Sequence, residues 1–209
     1  MMARVKAELG QWVWPVHRLD RATSGCLIFA LDQDAAREIS EEFEAGRVEK
    51  EYLALLRGVL EPAVGIIDHP IPRTEDGPRV DATTDYVRLA VLRNRYSLAL
   101  ARPRTGRLHQ IRRHFRHLGH PLMGDTTWGD NRENKKLRGD DVGLRRLALH
   151  ARSISLTFEG RLVRASANLP SDLLDPLRRL GLEGDDWMSA PLLPPESAPP
   201  ESGPSESGG

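Results

Sequence analysis

Val16-His17-Arg18-Leu19-Asp20-Arg21-Ala22-Thr23-Ser24-Gly25 runs directly into an apolar segment, Cys26-Leu27-Ile28-Phe29-Ala30-Leu31. The stretch sets Asp20 between Arg18 and Arg21 and turns through Thr23-Ser24-Gly25 into what reads as a buried strand over 26–31. A guanidinium beside a carboxylate favours its charged form. A glycine just ahead of a strand lets other backbone or a ligand come close. The pattern is that of a presented, ionised carboxylate. It is also that of a salt-bridged turn, and spacing alone leaves both readings open.

Working outward, the spacing predicts a helix from Gln33 to Ala45, with Ala36, Ile39 and Phe43 on one face and Gly46 as its stop. A strand follows over Val48–Leu56, with Lys50, Tyr52, Ala54 and Leu56 on one side. Residues 58–82 hold four prolines and read as loop with at most a short strand. Thr84–Leu92 and Tyr96–Arg102 read as a hairpin turned at Arg93-Asn94-Arg95. Arg107–Leu118 reads as a helix with a stripe of Leu108, Ile111, Phe115 and Leu118. Residues 121–143 read as loop with a short helix near Asn134. Strands are expected at Leu144–Leu149, Ser153–Phe158 and Leu162–Ala167, and Ser171 as the cap of a last helix towards Leu180. Residues 1–15 are weakly patterned. Strands and hairpins with few helices favour an α+β domain on a mixed, largely antiparallel sheet.

The chain of 209 residues is long enough for one full core, and no apolar run is long enough to span a membrane. Its one cysteine, Cys26, makes no internal disulfide, in keeping with a reducing cytoplasm. The formal charge is zero, but Glu183–Gly209 holds six acidic and no basic residues, so residues 1–182 carry +6. Of the 30 basic residues 26 are arginine, whose planar fork suits phosphate. The expected division is a folded domain over 1–187 and a disordered Pro/Ser/Gly/Glu tail over 188–209.

A second stretch, from Arg102 to His117, runs from a strand through Thr105-Gly106 into a helix. Amides at that helix start favour an anion, with Arg104 and Arg107 on either side. His109, Arg112 and Arg116 share a face. Such a face binds RNA phosphate or an internal carboxylate, or is simply solvated. His109, His114, His117 and His120 raise the question of a metal. No carboxylate or thiol lies between Arg102 and Met123, and several arginines would repel a dication. Asp125 reads as a turn residue.

These residues together carry a family resemblance. His17-Arg18-Leu19-Asp20 with Thr23-Ser24-Gly25 resembles the catalytic motif of the RluA-type pseudouridine synthases, and Lys50-Glu51-Tyr52 resembles their second motif. Thr105-Gly106-Arg107-Leu108-His109-Gln110-Ile111-Arg112 resembles the third, and Leu149-His150-Ala151 the short strand after it. Gly124-Asp125-Thr126-Thr127-Trp128-Gly129-Asp130 with Asn134, and the doubled Arg112-Arg113, lean towards a branch that modifies tRNA. The resemblance implies isomerisation of uridine, at position 65 of tRNA, without metal or cofactor. It implies Asp20 as nucleophile or base, Tyr52 stacked on the base and Arg112 paired with Asp20. Arg18, Arg21, Thr23, Arg104, Thr105, Gly106, Arg107, His109, Gln110 and Arg116 are the expected RNA contacts, and Arg18 is expected to fill the gap left by a flipped base. The expected partner is tRNA or another structured RNA, bound by a monomer. Family members carry strands and an Asn-Lys-Pro-x-Gly loop ahead of the catalytic motif. This chain begins nineteen residues before Asp20, so upstream coding sequence is expected to supply them. Other readings are a sister enzyme acting on ribosomal RNA and an RNA-binding module impaired in catalysis; phosphate binding alone needs neither Asp20 nor Tyr52.

Overall fold

A computed structural model describes residues 2–73, 77–139, 141–184 and 187. The disorder expected of the tail beyond Trp187 falls outside them. In chain order the elements are α1 (Met2–Leu9), β1 (Trp14–Pro15), β2 (Ser24–Gly25), β3 (Phe29–Ala30), α2 (Gln33–Glu44), β4 (Glu49–Arg57), β5 (Val64–Asp68), β6 (Ile71–Pro72), β7 (Arg79–Val80), β8 (Thr83–Leu92) and β9 (Tyr96–Pro103). After these come α3 (Gln110–His117), α4 (Asn131–Leu137), β10 (Leu149–Phe158), β11 (Arg161–Ser166) and α5 (Ser171–Arg179). The main sheet runs β11-β10-β4-β9-β8-β5, antiparallel throughout, and β2 joins β10 in parallel. This is the mixed, largely antiparallel α+β architecture expected.

The central strands are buried on both faces, and their side chains alternate between two cores. Leu53, Leu55, Leu98 and Leu100 point to one side, where Leu173, Leu177 and Leu180 of the α5 region cover them. Ala54, Ala99 and Ala101 point to the other, against Ile111 and Phe115 of α3, with Tyr52 at the rim. Small alanines on this second face let α3 lie close to the sheet. A third cluster places Ile39 of α2 over Ile154 and Leu156.

Helix α2 starts where expected, with the Asp32 carboxylate accepting from the Ala35 amide at 2.8 Å. The β8–β9 hairpin turns at Arg93 and Asn94, both at positive φ (49° and 48°), the backbone twist that matches paired strands. The 26–31 segment departs from expectation, with only Phe29–Ala30 pairing as strand. Two of its amides are used elsewhere: Cys26 N–H donates to Ala151 O at 2.8 Å and Ile28 N–H to His17 Nε2 at 2.9 Å. The 58–82 segment contributes a true sheet strand, β5, and a small β6–β7 hairpin. Residues 144–148 are not strand; β10 begins at Leu149 and runs to Phe158, with a bulge in its pairing with β4 between Ala151 and Ser153. Pro170, not Ser171, precedes α5, and no side chain caps it. Residues 2–9 form a helix with no buried side chain.

Candidate active site

The Asp20 turn reaches its place through β2. Gly25 pairs with Ala151 of β10, and Ala151 pairs with Tyr52 of β4, so three strands bring the turn over Tyr52. A Cβ on Gly25 would lie 2.0 Å from Ala151 O, and its φ is +115°; only glycine fits this approach. Ser24 is fixed by the His150 ring, Oγ to Nδ1 2.8 Å. The other ring nitrogen donates to Ala167 O at 3.0 Å, so Nδ1 accepts the Ser24 hydroxyl hydrogen. Burial depresses the His150 pKa, in keeping with that neutral ring.

Helix α3 brings the third group. Its start is later than the apolar spacing predicts, because His109 adopts a left-handed conformation, φ 55°. The Gln110 carboxamide takes the hydrogen bonds of the turn instead, accepting from Arg107 N–H (3.0 Å) and the Thr105 hydroxyl (2.7 Å). It donates to Thr83 O and Thr84 Oγ1. The predicted stripe narrows to Ile111 and Phe115, since Leu108 and Leu118 are 43% and 37% exposed.

Arg112 Nη1 donates to Asp20 Oδ2 at 3.1 Å. Its Nε and Nη2 donate to Asp125 at 2.7 and 2.9 Å. Burial works to lower the Arg112 pKa, but the hydrogen bonds and charges of Asp125 and then Asp20 outweigh it and raise it. Burial likewise works to raise the Asp125 pKa, and Arg112 with the Trp128 and Thr127 amides holds it below the usual carboxylate range. His109 Nε2 lies 3.9 Å from Asp20 Oδ1. The Tyr52 phenol is pushed up to about 12, first by burial and then by the Asp20 and Cys26 charges. Asp20, Tyr52 and Arg112 line one cavity of about 290 Å³.

Of the other predicted residues, Arg18, Thr23, Thr105, Gly106, Arg107, His109 and Gln110 line this cavity, whereas Arg21, Arg104 and Arg116 do not. Arg104 is forked onto Asp85, 2.8 Å at both contacts, and Arg116 sits 5.3 Å from the Trp128 ring. His17 and Lys50, quoted in the motifs, and Phe43, quoted on the helix face, were not among the expected site residues, yet they line the cavity too. The signal for Lys50 is its place two residues before Tyr52 on the same strand face, which the alternation already gives. His17 stacks on Phe43 at 4.8 Å, and burial, then Lys50, lowers its pKa to about 4. The four α3-region histidines diverge. His114 bonds Thr84 Oγ1 and His69 O, His117 stacks on His69, His120 bonds Arg57 O, and His109 faces Asp20.

A family model described as RNA pseudouridylate synthase matches residues 2–117. The chain belongs to this family. It is 43% identical over 175 residues to the tRNA pseudouridine synthase C of Haemophilus ducreyi, covering 75% of this chain and 71% of the relative. It is 35% identical over 207 residues to the protein of that name from Salmonella typhimurium, covering 88% and 78%. Among solved structures, human RNA Pseudouridylate Synthase Domain Containing 4 superposes with a TM-score of 0.73 at 28% identity, covering 88% of this chain and 82% of the human one. No helix among the described residues is long and apolar enough to cross a membrane.

Proposed function

We propose that this pseudouridylate synthase isomerises uridine to pseudouridine in tRNA, at position 65 in the acceptor-side stem. Asp20 acts on the flipped nucleotide and breaks the bond between uracil N1 and ribose C1′. The freed uracil turns in the cavity and is rejoined through C5; C5 gives up its proton and N1 takes one, so atoms balance without a co-reactant. Tyr52 stacks on the base and helps move the proton from C5, Arg112 holds Asp20, and Arg18 fills the gap in the RNA. A cavity of about 290 Å³ fits one nucleoside taken out of its helix rather than the helix itself.

The observation that carries this reading is the convergence of Asp20, Tyr52 and Arg112 on one cavity, from an N-terminal turn, a central strand and a helix. The proposal includes the remaining RNA contacts, Arg21, Thr23, Arg104, Thr105, Gly106, Arg107, His109, Gln110 and Arg116, and a catalytic unit over 1–187 working as a cytoplasmic monomer. Asp20→Asn keeps the shape of the side chain and removes its charge. We expect it to abolish pseudouridine formation, by about 10⁴-fold or more, while tRNA still binds in a gel-shift titration. Full turnover by that variant ends the assignment. Mapping pseudouridine in total RNA from cells with and without the gene tests the substrate: loss confined to ribosomal RNA refutes tRNA as the target.

A further inference from the structure

Asp20 has two oxygens, and the group facing each is itself held by the same turn. Asp125 is 1% exposed and grips the Nε–Nη2 edge of Arg112, which leaves Nη1 for Asp20 Oδ2. Three residues on, the Trp128 indole N–H donates to His109 Nδ1 at 3.3 Å. An indole can only donate, so Nδ1 accepts and the ring proton of the neutral imidazole sits on Nε2. That nitrogen faces Asp20 Oδ1 at 3.9 Å.

The turn is built to stay put. Asp125 Oδ1 accepts the Thr127 and Trp128 amides at 2.9 and 3.0 Å. Asn134 Nδ2 donates to Asp125 O at 2.8 Å, and Asn134 Oδ1 accepts from Gly124 N–H at 2.7 Å. A Cβ on Gly129 would lie 2.2 Å from Asp125 O. The Trp128 ring is flanked by the guanidiniums of Arg113 and Arg116, at 4.7 and 5.3 Å.

We propose that Asp125 and Trp128 are positioning residues for catalysis, Asp125 acting through Arg112 and Trp128 through His109. The inference rests on the reading of Asp20 given above. RNA brings phosphates into this cleft, and a guanidinium forks readily onto phosphate. Gripped along one edge by a buried carboxylate, Arg112 stays on Asp20 when phosphate arrives. Trp128 fixes which imidazole nitrogen faces Asp20, so His109 presents a proton there and offers no lone pair to compete for the substrate.

The test is steady-state kinetics of the whole protein on tRNA, joined to side-chain ¹⁵N spectra of His109. Asp125→Asn is expected to lower kcat about 10- to 100-fold with KM nearly unchanged. If Asp125 acts through Arg112, the double variant with Arg112→Lys is no slower than the slower single one. Trp128→Phe keeps an aromatic ring beside the two arginines and removes the indole N–H. Its kcat is expected to fall about 3- to 10-fold, and His109 Nδ1 to become protonated in part of the population. Unchanged kcat in both variants, or additive losses with an unmoved ¹⁵N pattern, overturns the proposal. Should Asp125→Asn fail to fold, the Trp128→Phe kinetics and spectra decide. An active Asp20→Asn enzyme sinks the reading of the cleft itself, whereas an inactive one beside unaffected Asp125→Asn and Trp128→Phe enzymes sinks only the positioning role.

Discussion

Tyr52 shows how one residue's surroundings limit what it can do. Burial, then the charges of Asp20 and Cys26, push its phenol up to about 12, so at neutral pH it holds its proton and enters the reaction as a hydrogen-bond donor and not as a phenolate base. Tyr52→Phe keeps the stacking ring and deletes only the hydroxyl. We expect kcat to fall about 10²- to 10⁴-fold with tRNA affinity within a few fold, measured by single-turnover pseudouridine formation. A wild-type rate that rises through the ordinary phenol range would contradict a Tyr52 pKa near 12. At this scale much was legible: Asp20, Tyr52 and Arg112 stand in motifs, and the structure brings them together. Asp125 was read as a turn residue, which it is, since it accepts the amides of its own turn. Its second task, gripping Arg112, depends on where α3 packs, and no local pattern records that. The pairing of Arg104 with Asp85 was not legible, because Asp85 lies on a neighbouring strand and not nearby in sequence.

Elements place these residues, and the parallel pairing of β2 with β10 is the junction that matters most. It joins residues 126 apart in sequence at a glycine whose Cβ position is already filled by Ala151 O. Gly25→Ala therefore either strains the left-handed backbone or pushes β2 off β10. A loss of about 2–4 kcal/mol is expected, read from urea midpoints. Activity should fall by more than the folded fraction accounts for, because the Asp20 turn moves with β2. A variant of normal stability and normal kcat would show that the close approach is not needed. Helix α2 and the β8–β9 hairpin were legible because cap, stripe and turn residues agree there. Strand β5 was not: its apolar Val64 and Ile66 are 53% and 58% exposed, so the alternation points the wrong way for a core-facing strand. Pairing with β8 at the sheet edge holds it instead. The 26–31 run misled for the opposite reason. It is apolar as a strand should be, but a histidine ring takes one of its amides.

Over the whole molecule, the charged and neutral states of buried groups set how the fold responds to acid. His17, His114 and His150 stand on the catalytic turn, α3 and β10, and burial lowers the pKa of each below the ordinary 6.5, that of His17 to about 4. Burial keeps each ring neutral, and each makes bonds that a neutral ring satisfies: His17 accepts from Ile28 N–H, His114 joins Thr84 Oγ1 to His69 O, and His150 joins Ser24 Oγ to Ala167 O. Because these histidines take up protons more readily unfolded than folded, their contribution is complete above about pH 6.5 and declines as pH falls below it, that of His17 being lost as pH falls through about 4. Each adds a slope of up to about 1.4 kcal/mol per pH unit between its unfolded and its folded pKa. The buried carboxylates held below their usual range, Glu51, Asp125 and Glu133, also lose stability in acid, but only below about pH 4.5, where the unfolded carboxylates take up protons. The two sets therefore separate, and denaturation measured from pH 7.5 to 5 reads the histidines. We expect stability to fall steadily across that range. His17→Gln, whose carbonyl can still accept from Ile28 N–H and which does not titrate, should flatten the slope. An equal slope in variant and wild type would mean that the neutral His17 ring is not what ties the Asp20 turn to the fold.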